Sequence, residues 1–167
     1  MRILVAGVGN VLLGDDGFGV RALQVLRDDP RLPDGVAVIE TGIGGIHLVQ
    51  ELMRGYDALI LFDALDRGGR PGQLFLVAPQ LPELAHLSDT ERRDYFSDTH
   101  YAVPLRALTL AREIDALPPV VRIIGCQPAD APAFGEPMHA EVAAAVRPAI
   151  DLAVEAITSL LEQPAER

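Results

Sequence analysis

A chain of 167 residues is long enough for a sizeable core, and an apolar fraction of 49% with a mean hydropathy of +0.22 excludes a disordered body. The formal net charge of −10 excludes nucleic acid as a partner, because its phosphates would be repelled, and suits a basic protein or peptide surface. The lone Cys126 excludes an internal disulfide and a cysteine zinc cage; with no bilayer-length apolar run and no signal peptide read ahead of the first strand, a reducing cytoplasm is expected.

The first predicted element is a strand over residues 2–6, an apolar run rich in Val and Ile. A glycine-rich loop follows, Gly7-Val8-Gly9-Asn10 through Gly14-Asp15-Asp16-Gly17-Phe18-Gly19, and then a helix over residues 20–27. Strand, glycine loop and helix evoke a dinucleotide site, but the third glycine of that motif would fall at Leu12. Asp15 and Asp16 also supply the negative charge that a helix start attracts, so the loop favours a cation over a phosphate. One of the two is expected to act as an N-cap and the other to face a cation.

Residues 28–35 form a turn-rich linker, residues 36–40 a second strand, and residues 46–54 a helix entered through Gly44-Gly45. Residues 57–63 are apolar between Asp57 and Asp63, which predicts a central strand covered on both faces. The connection to the next strand, residues 73–77, is too short for a parallel crossover and predicts an antiparallel pair. Residues 79–99 read as a long polar loop with one helical turn around residues 89–94. A helix over residues 105–114 follows, with Pro104 in its first turn, and then a core strand over residues 120–126. After a loop over residues 128–137, the last helix spans residues 140–161, with Pro148 expected to kink or split it. The order predicts a single α/β domain over residues 1–162 with a frayed tail at 163–167. Its sheet would be mostly parallel, of about five strands with one antiparallel, and its helices would cover both faces.

Ligands collect at the carboxyl ends of the strands in such sheets. There the chain delivers Asn10, Asp15 and Asp16, then Glu40 and Thr41, then Asp63 with Asp66, and finally Gln127. Taken alone, Asp63 is best read as a turn cap or a hydrogen-bond acceptor for loop backbone. Among the four histidines, His47 reads as surface, His86 as loop and His139 as local to the last helix; His100 lies where the long loop returns to a helix. Two carboxylates and one imidazole make a three-point site for a divalent first-row ion, without choosing among metals. No G-x-S-x-G elbow or H-E-x-x-H motif is present, and Cys126, inside an apolar strand, reads as packing.

In order and spacing, several segments together resemble the hydrogenase maturation endopeptidases. They are the Gly7–Gly19 loop, Phe62-Asp63-Ala64-Leu65-Asp66 with Pro71-Gly72, Thr99-His100 with Pro104-Leu105, and Gly125-Cys126-Gln127-Pro128 with Pro137-Met138. The resemblance implies an endopeptidase that removes the C-terminal extension of the nickel–iron hydrogenase large-subunit precursor once nickel is in place. It implies that Asp16, Asp63 and His100 are both the metal-contacting and the catalytic residues. Many members carry Glu at the first position; the Asp16 form looks most like the branch serving formate-hydrogenlyase-type enzymes. The implied metal is nickel supplied by the precursor, with other divalent ions able to occupy the site in vitro. The implied partner is that precursor alone, with no nucleic acid, no membrane insertion and no obligate protein cofactor. Two rivals share the ligands: a hydrolase of a small substrate holding its own ion, and a nickel checkpoint protein that binds the precursor without cutting it. A nucleotide-binding domain is disfavoured by the broken glycine spacing.

Overall fold

Five strands form one sheet in the computed structural model, which describes residues 1–97, 104–129 and 134–162. In chain order the elements are β1 (Ile3–Val8), α1 (Phe18–Arg27), β2 (Ala37–Gly42), α2 (Gly45–Leu52), β3 (Ala58–Ala64), β4 (Leu74–Val77), α3 (Asp89–Ser97), α4 (Pro104–Glu113), β5 (Val120–Cys126) and α5 (Ala140–Glu162). The strand order is β2-β1-β3-β5-β4, parallel throughout except for β4, which runs antiparallel to β5.

The sheet separates two apolar layers by the two-residue period of its strands. Ile3 and Val5 of β1, and Ala58, Ile60 and Phe62 of β3, face α1 and α5. Leu4, Ala6 and Val8, with Leu59 and Leu61, face α2 and α4. Both faces are therefore covered, and the expected three-layer architecture is what forms. β3 is the middle strand, as its unbroken apolar run predicts.

Three expectations are corrected. The short β3–β4 connection does not pair those strands with each other; β5 inserts between them, and β4 takes the outer edge of β5, with Leu74 opposite Cys126. The helical turn expected near residue 89 is a nine-residue helix, α3. A capping box starts it: the Glu91 carboxylate accepts the Ser88 backbone N–H at 2.8 Å, and Ser88 Oγ accepts the Glu91 N–H at 3.4 Å. Pro148 does not split α5, which runs unbroken for 23 residues. Pro148 and Ala144 both lie on the exposed face, so the carbonyl that loses its donor can be hydrated, while Ala145, Val146, Ala149 and Ile150 stay buried on either side. The tail at 163–167 lies outside the described residues.

Because β1 connects to β2 on one side and β3 lies on its other side, the chain reverses direction across the sheet between β1 and β3. In such sheets ligands collect at that switch point, outside the carboxyl ends of the two strands.

Candidate active site

The loop after β1 is pressed onto the ends of β1 and β3 by glycines that leave no room for a side chain. A Cβ on Gly19 would stand 2.2 Å from both the Val8 and the Phe62 carbonyl oxygens. A Cβ on Gly9, where φ is +129°, would stand 1.8 Å from the Asp16 carbonyl oxygen. That φ favours glycine as well, so both the space and the backbone angle require it. The result is a 3-10 turn, Gly14–Gly17, seated against the carboxyl edge of the sheet.

The turn separates the two aspartates. Asp15 is buried and points toward the far end of the chain. Its carboxylate accepts the backbone N–H of Ala129 and of His139, each at 2.8 Å, and lies 3.1 Å from His139 Nδ1. Neither Asp15 nor Asp16 makes a side-chain cap on the 3-10 turn or on α1, so the expected N-cap is corrected to this long-range clasp at the start of α5. His139 is likewise not merely local, since it reaches across the fold to Asp15.

Asp16 is half-buried and turns the other way. Its Oδ2 accepts the Asn10 backbone N–H at 2.8 Å, while the Asn10 side chain accepts the Leu12 N–H at 3.0 Å and fixes the loop. Asp63 ends the apolar run of β3 and is 8% exposed. Burial pushes its carboxyl from the ordinary 3.8 up to about 8; the Asp16 charge adds to the effect, and a backbone hydrogen bond at Ala64 opposes it. The Asp16 charge is thus felt at Asp63 across the switch point, with burial the larger cause. A divalent cation beside these carboxyls would offset the Asp16 repulsion that adds to the effect of burial on Asp63.

The remaining sequence candidates separate from this pair. Gln127 accepts the backbone N–H groups of Arg67 and Gly69 and donates to Asp66, so Gln127 and Asp66 tie the β3–β4 turn to the end of β5. Thr41 donates to the Gly7 carbonyl at 3.2 Å, and Glu40 is exposed beside Arg27. His47 and His86 are exposed. Cys126 is buried and its thiol is pushed up to about 12 by burial, as packing requires. His100 lies outside the described residues, and among the described residues no cluster of three metal-binding side chains occurs. The Asn10 N–H on Asp16 and the Asp15 clasp were not foreseen: the first is a backbone group, and the partners of the second lie more than a hundred residues away.

The sequence model described as hydrogenase maturation protease matches residues 20–158. The chain belongs to the hydrogenase maturation protease family. It is 37% identical to the hydrogenase expression/formation protein HoxM of Azotobacter vinelandii over 154 residues, covering 92% of this chain and 71% of HoxM. Among solved structures it is similar to the hydrogenase-maturating endopeptidase HybD from E. coli, with a TM-score of 0.74, 25% identity, and coverage of 95% of this chain and 93% of HybD. It is also similar to a hydrogenase 2 maturation peptidase from a Thaumarchaeota archaeon, with a TM-score of 0.65, 34% identity, and coverage of 94% and 98%. As a member of the maturation protease family the protein is a peptide-bond hydrolase, and its fold is that of the family's α/β structures. The matched segment begins just after the glycine loop, so it contains Asp63 but not Asp16.

Proposed function

We propose that the protein removes the C-terminal extension of a nickel–iron hydrogenase large-subunit precursor after nickel has been inserted, and that it does so in the cytoplasm. In this reading Asp16, Asp63 and His100 together meet the precursor's nickel. The metal enters as part of the substrate, and its coordination by these residues docks the scissile bond beside them. The observation that carries the reading is the Asp16–Asp63 pair at the switch point of a maturation-protease fold. A lone carboxylate there would be a cap; two that repel each other form a place for a cation. His100 stands four residues before Pro104, the buried first residue of α4. Because α4 leads into β5, which runs parallel to β3, the start of α4 belongs at the same carboxyl edge.

The test is cleavage in vitro of the large-subunit precursor prepared with and without nickel, followed by the mass of the C-terminal fragment. Cleavage of the nickel-loaded form alone is expected. The Asp16→Ala, Asp63→Ala and His100→Ala variants are each expected to fold and to leave that precursor intact. Binding without cleavage by the unmodified protein would instead mark a checkpoint protein. An Asp63→Ala variant that cleaves at the normal rate would remove Asp63 from the site.

A further inference from the structure

Five of the large apolar side chains that stand more than half exposed lie at one edge of the molecule, on three different loops. Val11 and Leu12 follow β1, Ile43 and Ile46 follow β2, and Phe134 follows β5. Isolated exposed apolar residues are ordinary; a group of them around a candidate site is not. Backbone hydrogen bonds join the loops into one rim: Gly9 N–H donates to Gly42 O at 3.2 Å, and Gly135 N–H donates to Leu12 O at 2.9 Å. Val11 and Leu12 belong to the same loop as Asp16.

Two of its segments carry no charge in a chain where 23% of residues are charged, while Phe134 lies two residues from Glu136. Residues 7–14 and 41–46 contain no Asp, Glu, Lys or Arg. Beside Val11 the rim continues into a cleft of about 740 Å³ between α1 and the start of α5, where Val25, Met138 and Val146 form apolar wall and Arg21, Glu136 and Arg147 add charge. A small polar substrate would leave these side chains in water. An acidic peptide would be repelled by the overall charge, and a basic one would find no charge to pair with in residues 7–14 and 41–46. What fits is an apolar polypeptide segment whose neighbours on the partner's surface meet the acidic remainder of the molecule.

We propose that this rim is the docking surface for the precursor, and that it takes an uncharged, apolar stretch of chain adjoining the scissile bond. The inference rests on the proposed cleavage for the identity of the partner. Its physical content is that affinity for the precursor comes from Leu12, Ile46 and Phe134 rather than from the metal contacts alone. Burying a few such side chains at the centre of an interface supplies most of the binding energy such a surface offers.

The test compares the unmodified protein with a triple variant, Leu12→Gln, Ile46→Gln and Phe134→Ser, whose changes are all at exposed positions. Met53→Gln with Leu161→Gln serves as control, because those exposed residues end α2 and α5 away from the rim. Binding to the nickel-loaded precursor and the KM and kcat of cleavage are measured on the same samples. The expected result is about a tenfold or greater rise in both Kd and KM for the triple variant, with kcat held and the control unchanged. Unchanged Kd and KM in a triple variant that cleaves would overturn the docking surface and leave the proposed function standing. An unmodified protein that binds without cutting, with the triple variant binding tenfold more weakly, would keep the surface and overturn the cleavage. A protein that neither binds nor cuts the precursor would overturn both. A triple variant that binds normally but loses self-association in sedimentation would reassign the rim to contacts between copies of this chain.

Discussion

Replacing Asp63 by Asn should stabilise the fold while ending its chemistry, and pH provides the measure. A carboxyl raised from 3.8 to about 8 by folding binds its proton more tightly in the native state than in the unfolded chain. Stability from this group is therefore complete below about pH 4 and is lost as pH rises toward 8. Between those limits the unfolded state carries one proton fewer, and the slope is about −1.4 kcal/mol per pH unit. Over three units, from about pH 4.5 to 7.5, Asp63 costs about 4 kcal/mol relative to a neutral side chain of the same shape. The Asp63→Asn variant lacks that titration. Urea denaturation of both proteins across this range, with the difference in unfolding free energy plotted against pH, isolates the one group from all others. The difference should rise steadily in favour of the variant and level off above about pH 8. A flat difference, or one that falls with pH, would refute the claim that burial and Asp16 hold the Asp63 proton.

Three other outcomes follow from the same geometry. Asp15→Ala should cost about 3 kcal/mol in urea denaturation, because it strands the Ala129 and His139 N–H groups, whereas Asp16→Ala should cost under about 1 kcal/mol as it relieves Asp63. Equal effects of the two would contradict the division of roles. Gly9→Ala should destabilise by about 3 kcal/mol or more, read as a drop in Tm, since its methyl group would collide with the Asp16 carbonyl at a φ that alanine resists. Cys126 should react with iodoacetamide more than about a hundredfold faster in urea than in the native protein, and fast native labelling would contradict its burial.

The sequence made the sheet legible wherever an element was buried on both faces. β5 occupies the residues read for it, because a seven-residue run that is apolar apart from Arg122, between two proline-containing segments, has little else to become. β3 was readable as central for the same reason. α3 was under-read because it is polar on every side, with no apolar stripe to declare it, although the Ser88-Asp89-Thr90-Glu91 box was available as a start signal. The partner of β4 was not readable, because loop length gives the relative direction of two strands and not which strand lies between them. In the site, chemistry at strand ends pointed to Asp16 and Asp63 together with Asn10, Asp66 and Gln127. Only the fold could separate the carboxylate pair from residues that tie loops together. Asp15 and Asp16 are adjacent and identical, and the contacts that divide them come from residues 129 and 139.

That division explains how so costly a site is kept. Asp15 clasps the loop after β1 to the start of α5, and glycines at 9 and 19 let the same loop lie flush on β1 and β3. Asp16 is thereby fixed from behind, through its own backbone and the Asn10 N–H, and its remaining oxygen is left for another group. Asp63 is fixed by the central strand. Asp63, buried and facing the Asp16 charge, keeps its proton at neutral pH. A free divalent ion must displace that proton and finds only these two described carboxylates as partners, which is a poor exchange for a hydrated cation. A metal that arrives already held by a large protein partner loses less water and brings the rest of its coordination sphere with it. Under the proposed function, these two carboxyls would therefore favour a delivered metal over a loose one. The apolar rim extends the same selection from the ion to the polypeptide around it.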